Sequence, residues 1–101
     1  MQEIDASELV ALLGSALIVD VREPDEFRSG HVEGAVLMPL STVPVRMTEL
    51  DHDQTYFVIC EAGGRSAKAC EFLEKQGYDV INVAGGTGFF RSTGLPLVTG
   101  D

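Results

Sequence analysis

The residues best suited to chemistry lie between Val58 and Ser66, where the sequence reads Val-Ile-Cys-Glu-Ala-Gly-Gly-Arg-Ser. An apolar run ends at Cys60, and a glycine-rich turn leads into a helical pattern that opens at Arg65. A strand that turns through glycines into a helix directs its backbone N–H groups toward one point. A thiol at that point has a lowered pKa and is a nucleophilic thiolate at neutral pH. The spacing therefore predicts covalent chemistry at Cys60, with main-chain amides stabilising the negative charge.

The six residues after Cys60 form the predicted active-site loop and anion-binding segment: Glu61, Ala62, Gly63, Gly64, Arg65 and Ser66. The two glycines permit the positive φ that a tight nest of amides requires. A cation in the first turn of a helix opposes the helix dipole, so we expect Arg65 to face an anion. We expect Ser66 either to cap the helix or to donate to the loop.

Two alternatives remain open within this loop. Cys60 has a second interpretation as a buried, apolar residue at the end of a strand, although the glycines and arginine that follow argue against it. Glu61 is harder to explain, because a carboxylate beside a thiolate raises the thiol pKa and repels anionic substrates. Its side chain either points to solvent or selects a thiol or partner protein over a small dianion.

Other polar residues are candidates for supporting roles. Asp20 and Arg22 follow a short apolar run, and we expect them either to pair with each other or to brace the active-site loop. Cys70 falls on the inner face of a predicted helix, where core packing is favoured over a role as a resolving thiol. His31, in a turn flanked by glycine, is expected to make a structural hydrogen bond, and His52 is expected at the surface.

Length and composition limit the class of protein. The 101 residues are expected to form one domain over residues 1–101, and the formal net charge is −9. Such an acidic chain repels phosphate backbones and anionic membranes, so we expect no nucleic-acid or membrane partner. Two cysteines make no disulfide framework, and neither histidine has metal-ligand spacing to them. Without a signal-peptide pattern or a membrane-length apolar run, the expected location is the cytoplasm.

Short apolar runs alternate with helical patterns along the chain. The predicted strands are at Ile4, 17–19, 35–38, 55–60 and 80–83. This alternation predicts an α/β fold of three layers, a central parallel sheet of about five strands with helices on both faces. In such sheets ligands bind beyond the carboxyl ends of the strands. Asp20, Cys60 and Gly85 each follow a strand and should therefore share one rim.

Two helix ends are also predicted. Asp5 and Glu8 have the spacing of a capping box, followed by Leu9, Leu12 and Leu13 on one apolar face. At the end of the clearest helix, predicted over residues 65–76, Gly77 and Tyr78 have the pattern of a Schellman motif in which Tyr78 packs on Leu73.

Three ordered motifs resemble those of the rhodanese-like sulfurtransferase family in its single-domain form, and together they cover nearly the whole chain. They are Asp20-Val21-Arg22-Glu23 with Glu26-Phe27 and 30–35, the loop from Cys60 to Ser66, and 85–96 from Gly85-Gly86 to Leu95-Pro96. The resemblance implies a sulfurtransferase of the thiosulfate:cyanide type. Cys60 would take a sulfane sulfur from thiosulfate or a low-molecular-weight persulfide and pass it to cyanide or a thiol. It implies no metal or organic cofactor.

Two other functions are compatible with parts of the pattern. A persulfide carrier or docking module acting on a partner protein would explain Glu61 and the acidic composition, which favour a basic partner protein. Phosphatases and arsenate reductases share the expected fold, but their loops hold five residues between cysteine and arginine. Cys60 and Arg65 bracket four, which makes a smaller cradle, suited to a sulfur on cysteine and tight for a tetrahedral oxyanion.

Overall fold

The computed structural model describes residues 1–101 and contains one sheet of five strands, all of whose neighbouring pairs are parallel. The strands are β1 (Gln2–Asp5), β2 (Leu17–Asp20), β3 (Ala35–Leu37), β4 (Thr55–Ile59) and β5 (Asp79–Ala84). Their order across the sheet is β1-β5-β4-β2-β3. In the register, Val19 of β2 lies opposite Val36 of β3 and Val58 of β4. Because β4 is the middle strand in this order, Cys60, which follows it, lies at the centre of the rim formed by the carboxyl ends of the strands.

Five helices complete the layers: α1 (Ala6–Leu9), α2 (Pro24–Ser29), α3 (Val43–Arg46), α4 (Gly64–Lys75) and α5 (Gly86–Ser92). Short 3₁₀ turns extend α1 over Val10–Leu12 and flank α3 at Leu40–Thr42 and Met47–Glu49. This architecture confirms the predicted α/β class with a parallel sheet and helices on both faces. No helix in the chain combines the length and apolar composition that crossing a membrane would require.

The core lies in two parts, one on each face of the sheet. Successive residues of a strand point to opposite faces, so Val19 and Ile18 enter different clusters. One cluster packs the sheet against α3 and α4 and includes Ala69, Cys70 and Leu73 of α4. The other packs the sheet against α1 and α5. Both faces of the central strands are apolar, which explains the continuous hydrophobic runs of the sequence.

The ends of the first helix differ from the prediction in one respect. The capping box is present, with Asp5 N donating to Glu8 Oε1 at 3.0 Å. Leu9 is fully buried, but the prediction for Leu12 is wrong because its exposed fraction is 37%. The regular helix ends at Leu9, and the 3₁₀ turn that follows breaks the 3.6-residue period on which the prediction was based.

The Schellman motif at the end of α4 is confirmed. Gly77 has φ 88°, and its N–H donates to the Glu74 carbonyl, while the N–H of Tyr78 donates to the Leu73 carbonyl. Tyr78 and Leu73 lie in the same core cluster. These contacts fix the C-terminal end of α4 in the core against the sheet. The N-terminal end of the same helix adjoins the loop after Cys60.

Candidate active site

The loop after β4 brings a main-chain amide onto the sulfur of Cys60. Gly63, the N-cap of α4, has a left-handed backbone with φ 114°, and its N–H donates to Cys60 Sγ at 3.0 Å. Only one of the two predicted positive-φ glycines uses that freedom, since Gly64 begins the right-handed helix. One left-handed residue is enough because it reverses the chain, and the helix then supplies the following amides.

Ser66 lies in the first turn of α4 and donates toward the loop. Its hydroxyl is 3.3 Å from Cys60 Sγ and 3.2 Å from the carbonyl oxygen of Gly63, and the residue is fully buried. Of the two roles left open for Ser66, donation to the loop is therefore the observed one. The serine and the Gly63 amide approach the same sulfur from two elements, the helix and the loop.

These hydrogen bonds oppose the effect of burial on the thiol. Burial raises the pKa of Cys60, but hydrogen bonds from the Ser66 side chain and from the amides of Ser66, Gly63 and Ala62 lower it by more. The net pKa of Cys60 lies below the usual value of a thiol. The residue is only 1% exposed, so its sulfur is buried and hydrogen-bonded at the same time. Cys60 is therefore buried in a core cluster, as the alternative interpretation expects, but hydrogen bonds lower the pKa of its thiol, which an inert core residue does not require.

The N-terminus of α5 holds the backbone of the same loop. The N–H of Thr87 donates to the carbonyl of Cys60 at 2.9 Å, and the N–H of Gly88 donates to that of Glu61 at 2.9 Å. A Cβ at Gly86 would collide with the Cys60 carbonyl oxygen. The glycines after β5 therefore permit a close backbone contact that fixes Cys60 and Glu61.

Asp20 and Arg22 pair with each other, and Arg22 also contacts the loop after Cys60. Arg22 is fully buried, and its guanidinium donates to both carboxylate oxygens of Asp20 at 2.9 to 3.2 Å and to the carbonyl of Gly30 at 2.9 Å. Its Nη1 also donates to Glu61 Oε1 at 3.2 Å. The pair thus connects the ends of β2 and β4 and contacts the active-site loop.

The side chain of Glu61 is turned toward cations. Oε1 accepts from Arg22, and Oε2 forms an ion pair with Arg91 of α5. The side chain is 37% exposed, so it borders solvent while both oxygens have partners. Of the two interpretations of Glu61, the free solvent-directed side chain does not describe this arrangement.

Arg65 faces an anion, as predicted, but that anion is the carboxylate of Glu26 in the same chain. Its two Nη atoms donate to the two carboxylate oxygens of Glu26 in α2 at 2.7 and 2.9 Å. The hydrogen bonds from Arg65 lower the pKa of Glu26 to about 2. This bidentate ion pair joins the first turn of α4 to α2 across the rim.

The second cysteine and the histidines lie outside this set. Cys70 is fully buried in the core, and burial raises its pKa to about 12. His31 stacks on Phe27 with ring centroids 3.6 Å apart, and its Nδ1 lies 2.8 Å from the Phe27 carbonyl oxygen. His52 is exposed and stacks on Tyr78. These placements agree with core packing for Cys70, a structural hydrogen bond for His31 and a surface position for His52.

Comparison with known proteins decides the family. The family model described as a rhodanese-like domain matches residues 5–91. The chain belongs to this family. A rhodanese-related protein of Thermoplasma volcanium has the same fold with a TM-score of 0.93 and 33% identity, covering 99% of this chain and 100% of that one.

Two curated relatives of this rhodanese-like chain have names that refer to sulfur. A protein of Allochromatium vinosum named "Sulfurtransferase" is 36% identical over 97% of this chain and 95% of that protein. A protein of Bacillus subtilis named "Putative sulfur carrier protein" is 38% identical over 84% of this chain and 43% of that protein. The names of these two relatives therefore both refer to sulfur transfer in the broad sense, one as an enzyme and one as a putative carrier.

The structure of this rhodanese-like domain shows contacts around the site that the sequence patterns did not predict. Glu26 and Arg91 lie 39 and 30 positions from their ion-pair partners, so no local pattern connects them. Asn82 of β5 is buried, and its Nδ2 donates to Glu3 Oε2 at 2.8 Å and to the Gly63 carbonyl at 3.4 Å. A polar residue within an apolar strand was the available signal for Asn82.

Proposed function

We propose that this rhodanese-like domain is a sulfurtransferase in which Cys60 carries the transferred sulfur as a persulfide. The observation that carries the proposal is the pair of donors on Cys60 Sγ, the amide of Gly63 at 3.0 Å and the hydroxyl of Ser66 at 3.3 Å. Both favour a negative sulfur, and the same donors can hold the negative charge of a persulfide.

The proposed reaction has two displacement steps. The Cys60 thiolate attacks the sulfane sulfur of thiosulfate, a new S–S bond forms, and sulfite leaves with the electron pair of the broken S–S bond. With a persulfide donor, the leaving group is the donor's thiolate. In the second step cyanide or an acceptor thiolate attacks the outer sulfur, and the Cys60 thiolate leaves. The products are thiocyanate or a new persulfide, and no electron is gained or lost overall.

The loop has distinct tasks in this proposal. The amides of Ala62, Gly63 and Ser66 stabilise the thiolate, and Gly64 starts the helix whose N-terminal dipole faces the site. Asp20 and Arg22 position the loop from β2 through the contact with Glu61. Because Cys60 and Cys70 are both free thiols, we place this chemistry in a reducing compartment such as the cytoplasm.

The experiment is sulfur loading followed by intact-protein mass spectrometry. The protein is incubated with thiosulfate or glutathione persulfide, and each donor is expected to add the mass of one sulfur atom to wild type and to Cys70→Ala. Cys60→Ser is expected to gain nothing and to lose thiosulfate:cyanide exchange. An adduct on Cys60→Ser equal to that on wild type would remove Cys60 from the mechanism.

A persulfide carrier that acts on a partner protein is the second candidate. It is favoured by the net charge of −9 and by the ion pairs that occupy Arg22, Arg65 and Arg91 around the loop. Such a carrier would load sulfur on Cys60 but turn over slowly with cyanide or small thiols, and it would favour a basic partner protein. Fast turnover with small acceptors would argue for the enzyme.

A further inference from the structure

The side chain of Glu61 is built into the rim of the site. Its two oxygens pair with Arg22 and Arg91, which come from β2's end and from α5. A Cβ at Gly88 would lie 2.9 Å from the Glu61 carbonyl oxygen and 3.3 Å from Oε2, so the glycine leaves room for both the main chain and the carboxylate of Glu61 against α5. The residue follows Cys60 directly and is fixed by the Gly88 amide. Glu61 therefore holds its charge in a defined place beside the sulfur.

Arg91 depends on Glu61 in a way that Arg22 does not. Arg22 keeps Asp20 and the Gly30 carbonyl as further partners. Arg91 has Glu61 as its carboxylate partner, and its side chain is 47% exposed. If the charge of Glu61 were removed, Arg91 would be a half-exposed cation at the edge of the loop, free to attract an anion.

The charges around the thiol are balanced one for one. The arginines at the loop, Arg22, Arg65 and Arg91, are paired with the carboxylates of Asp20, Glu26 and Glu61. Within this set a Cys60 thiolate is left without a paired cation, and the chain as a whole has a further net charge of −9. A dianion such as thiosulfate gains the loop amides but no unpaired arginine, and it meets net repulsion.

We propose that Glu61 is a specificity-determining residue that, by occupying Arg91, disfavours dianionic sulfur donors and favours persulfides of low charge. The inference rests on the proposed function of Cys60 as the sulfur-accepting nucleophile. Glu61 acts through Arg91 and takes no part in bond making or breaking.

The test compares two donors that differ in charge. The specificity ratio is kcat/KM for thiosulfate divided by kcat/KM for the persulfide of 2-mercaptoethanol, measured as sulfur loading of Cys60. Glu61→Gln retains an oxygen that accepts from Arg22 but removes the charge that occupies Arg91. The ratio is expected to rise roughly tenfold, mainly through a lower KM for thiosulfate, as expected for one unit charge acting on a dianion.

Two further variants separate the local effect from the global one. In Glu61→Gln/Arg91→Gln the ratio is expected to return close to the wild-type value, since the freed cation is gone. Glu74→Gln makes the same change in net charge on an exposed residue of α4, about 13 Å along the helix from Arg65, and should leave the ratio unchanged. Added salt should raise the thiosulfate rate of wild type more than that of Glu61→Gln.

The outcomes distinguish this inference from the proposed function. Sulfur on Cys60 with an unchanged ratio in Glu61→Gln would overturn the role of Glu61 and leave the nucleophile in place. An equal rise in Glu74→Gln would also overturn it, because net charge alone would then explain the effect. Failure of both donors to load wild type would contradict the proposed function and, with it, the role of Glu61.

Discussion

The hydroxyl of Ser66 lies 3.3 Å from the sulfur of Cys60. The two residues are six positions apart, and the left-handed backbone of Gly63 between them is what brings the first turn of α4 over the end of β4. The same sulfur accepts from the Gly63 amide. The thiol therefore receives one donor from the loop and one from the helix.

Removing the Ser66 hydroxyl should make Cys60 a weaker nucleophile. In Ser66→Ala the pKa of Cys60 is expected to rise, because a hydrogen bond that favours the charged form is lost while burial remains. Persulfide formation at neutral pH should slow roughly tenfold, the worth of one hydrogen bond to a charged group. The measurement is the rate of alkylation by iodoacetamide as a function of pH, whose midpoint gives the pKa of the thiol. It is made in a Cys70→Ala background, so that Cys60 is the cysteine that reacts.

A matched serine controls for loss of a hydroxyl. Ser92→Ala removes an exposed hydroxyl that donates to the Phe89 carbonyl, and the alkylation midpoint should not move. If Ser66→Ala kept the wild-type midpoint as well, the serine would have no part in stabilising the thiolate.

Gly86→Ala should lower the free energy of unfolding by more than the strain of a left-handed alanine alone would. Gly86 has φ 53°, and its added Cβ would meet the Cys60 carbonyl oxygen. Gly94 has φ 74° with no atom within 4 Å of its Cβ position, so Gly94→Ala isolates the backbone strain. We expect Gly94→Ala to cost about 1 kcal/mol of unfolding free energy. Gly86→Ala should cost roughly twice as much or more, because the clash adds to the strain.

Urea denaturation of both variants provides the measurement. The displacement at Gly86 should also reduce sulfur loading of Cys60, because α5 holds the Cys60 carbonyl through Thr87. Equal losses of stability in Gly86→Ala and Gly94→Ala would show that α5 can move away without cost.

Arg22 should be costly to remove because its partner is buried. Arg22→Met leaves the Asp20 carboxylate, itself fully buried, without its cation, and we expect a loss of about 3–5 kcal/mol of unfolding free energy. Asp20→Leu/Arg22→Met removes both charges and should be more stable than Arg22→Met alone. Denaturant titrations test this order, and a double variant less stable than Arg22→Met would contradict it.

The Glu26–Arg65 ion pair should contribute to stability in a defined pH range. The pKa of Glu26 in the folded state is about 2, below the ordinary 4.5. On acidification the carboxylate therefore takes up its proton at a lower pH in the folded state than in the unfolded state. The contribution is complete above about pH 4.5 and is lost as the pH falls through 2. Both side chains are about one-third exposed, so we expect at most about 1 kcal/mol.

Thermal unfolding between pH 7 and 2 tests this prediction. Glu26→Gln should lower Tm at neutral pH, and its difference from wild type should shrink below pH 4.5. Glu71→Gln, at an exposed residue of α4 with no ion pair, serves as the control. A difference between wild type and Glu26→Gln that stayed constant with pH would exclude this ion pair as its source.

Much of the fold was predictable because its signals are local. The apolar runs ending near Asp20, Cys60 and Ala84 became neighbouring strands, and the caps at Asp5 and Gly77 formed as their sequences indicate. Leu12 was misplaced because one turn of α-helix passes into a 3₁₀ turn, and helical periodicity assumes that the same geometry continues.

The sequence alone determined the glycine turn after Cys60 and the parallel sheet that presents it, since each depends on residues close together in the chain or on a repeated apolar pattern. The tertiary structure decided which carboxylate meets which arginine. Glu61 meets Arg91, and Arg65 meets Glu26, across 30 and 39 positions. Ion pairing acts through space, and only the packing of α2 and α5 against the loop sets those separations.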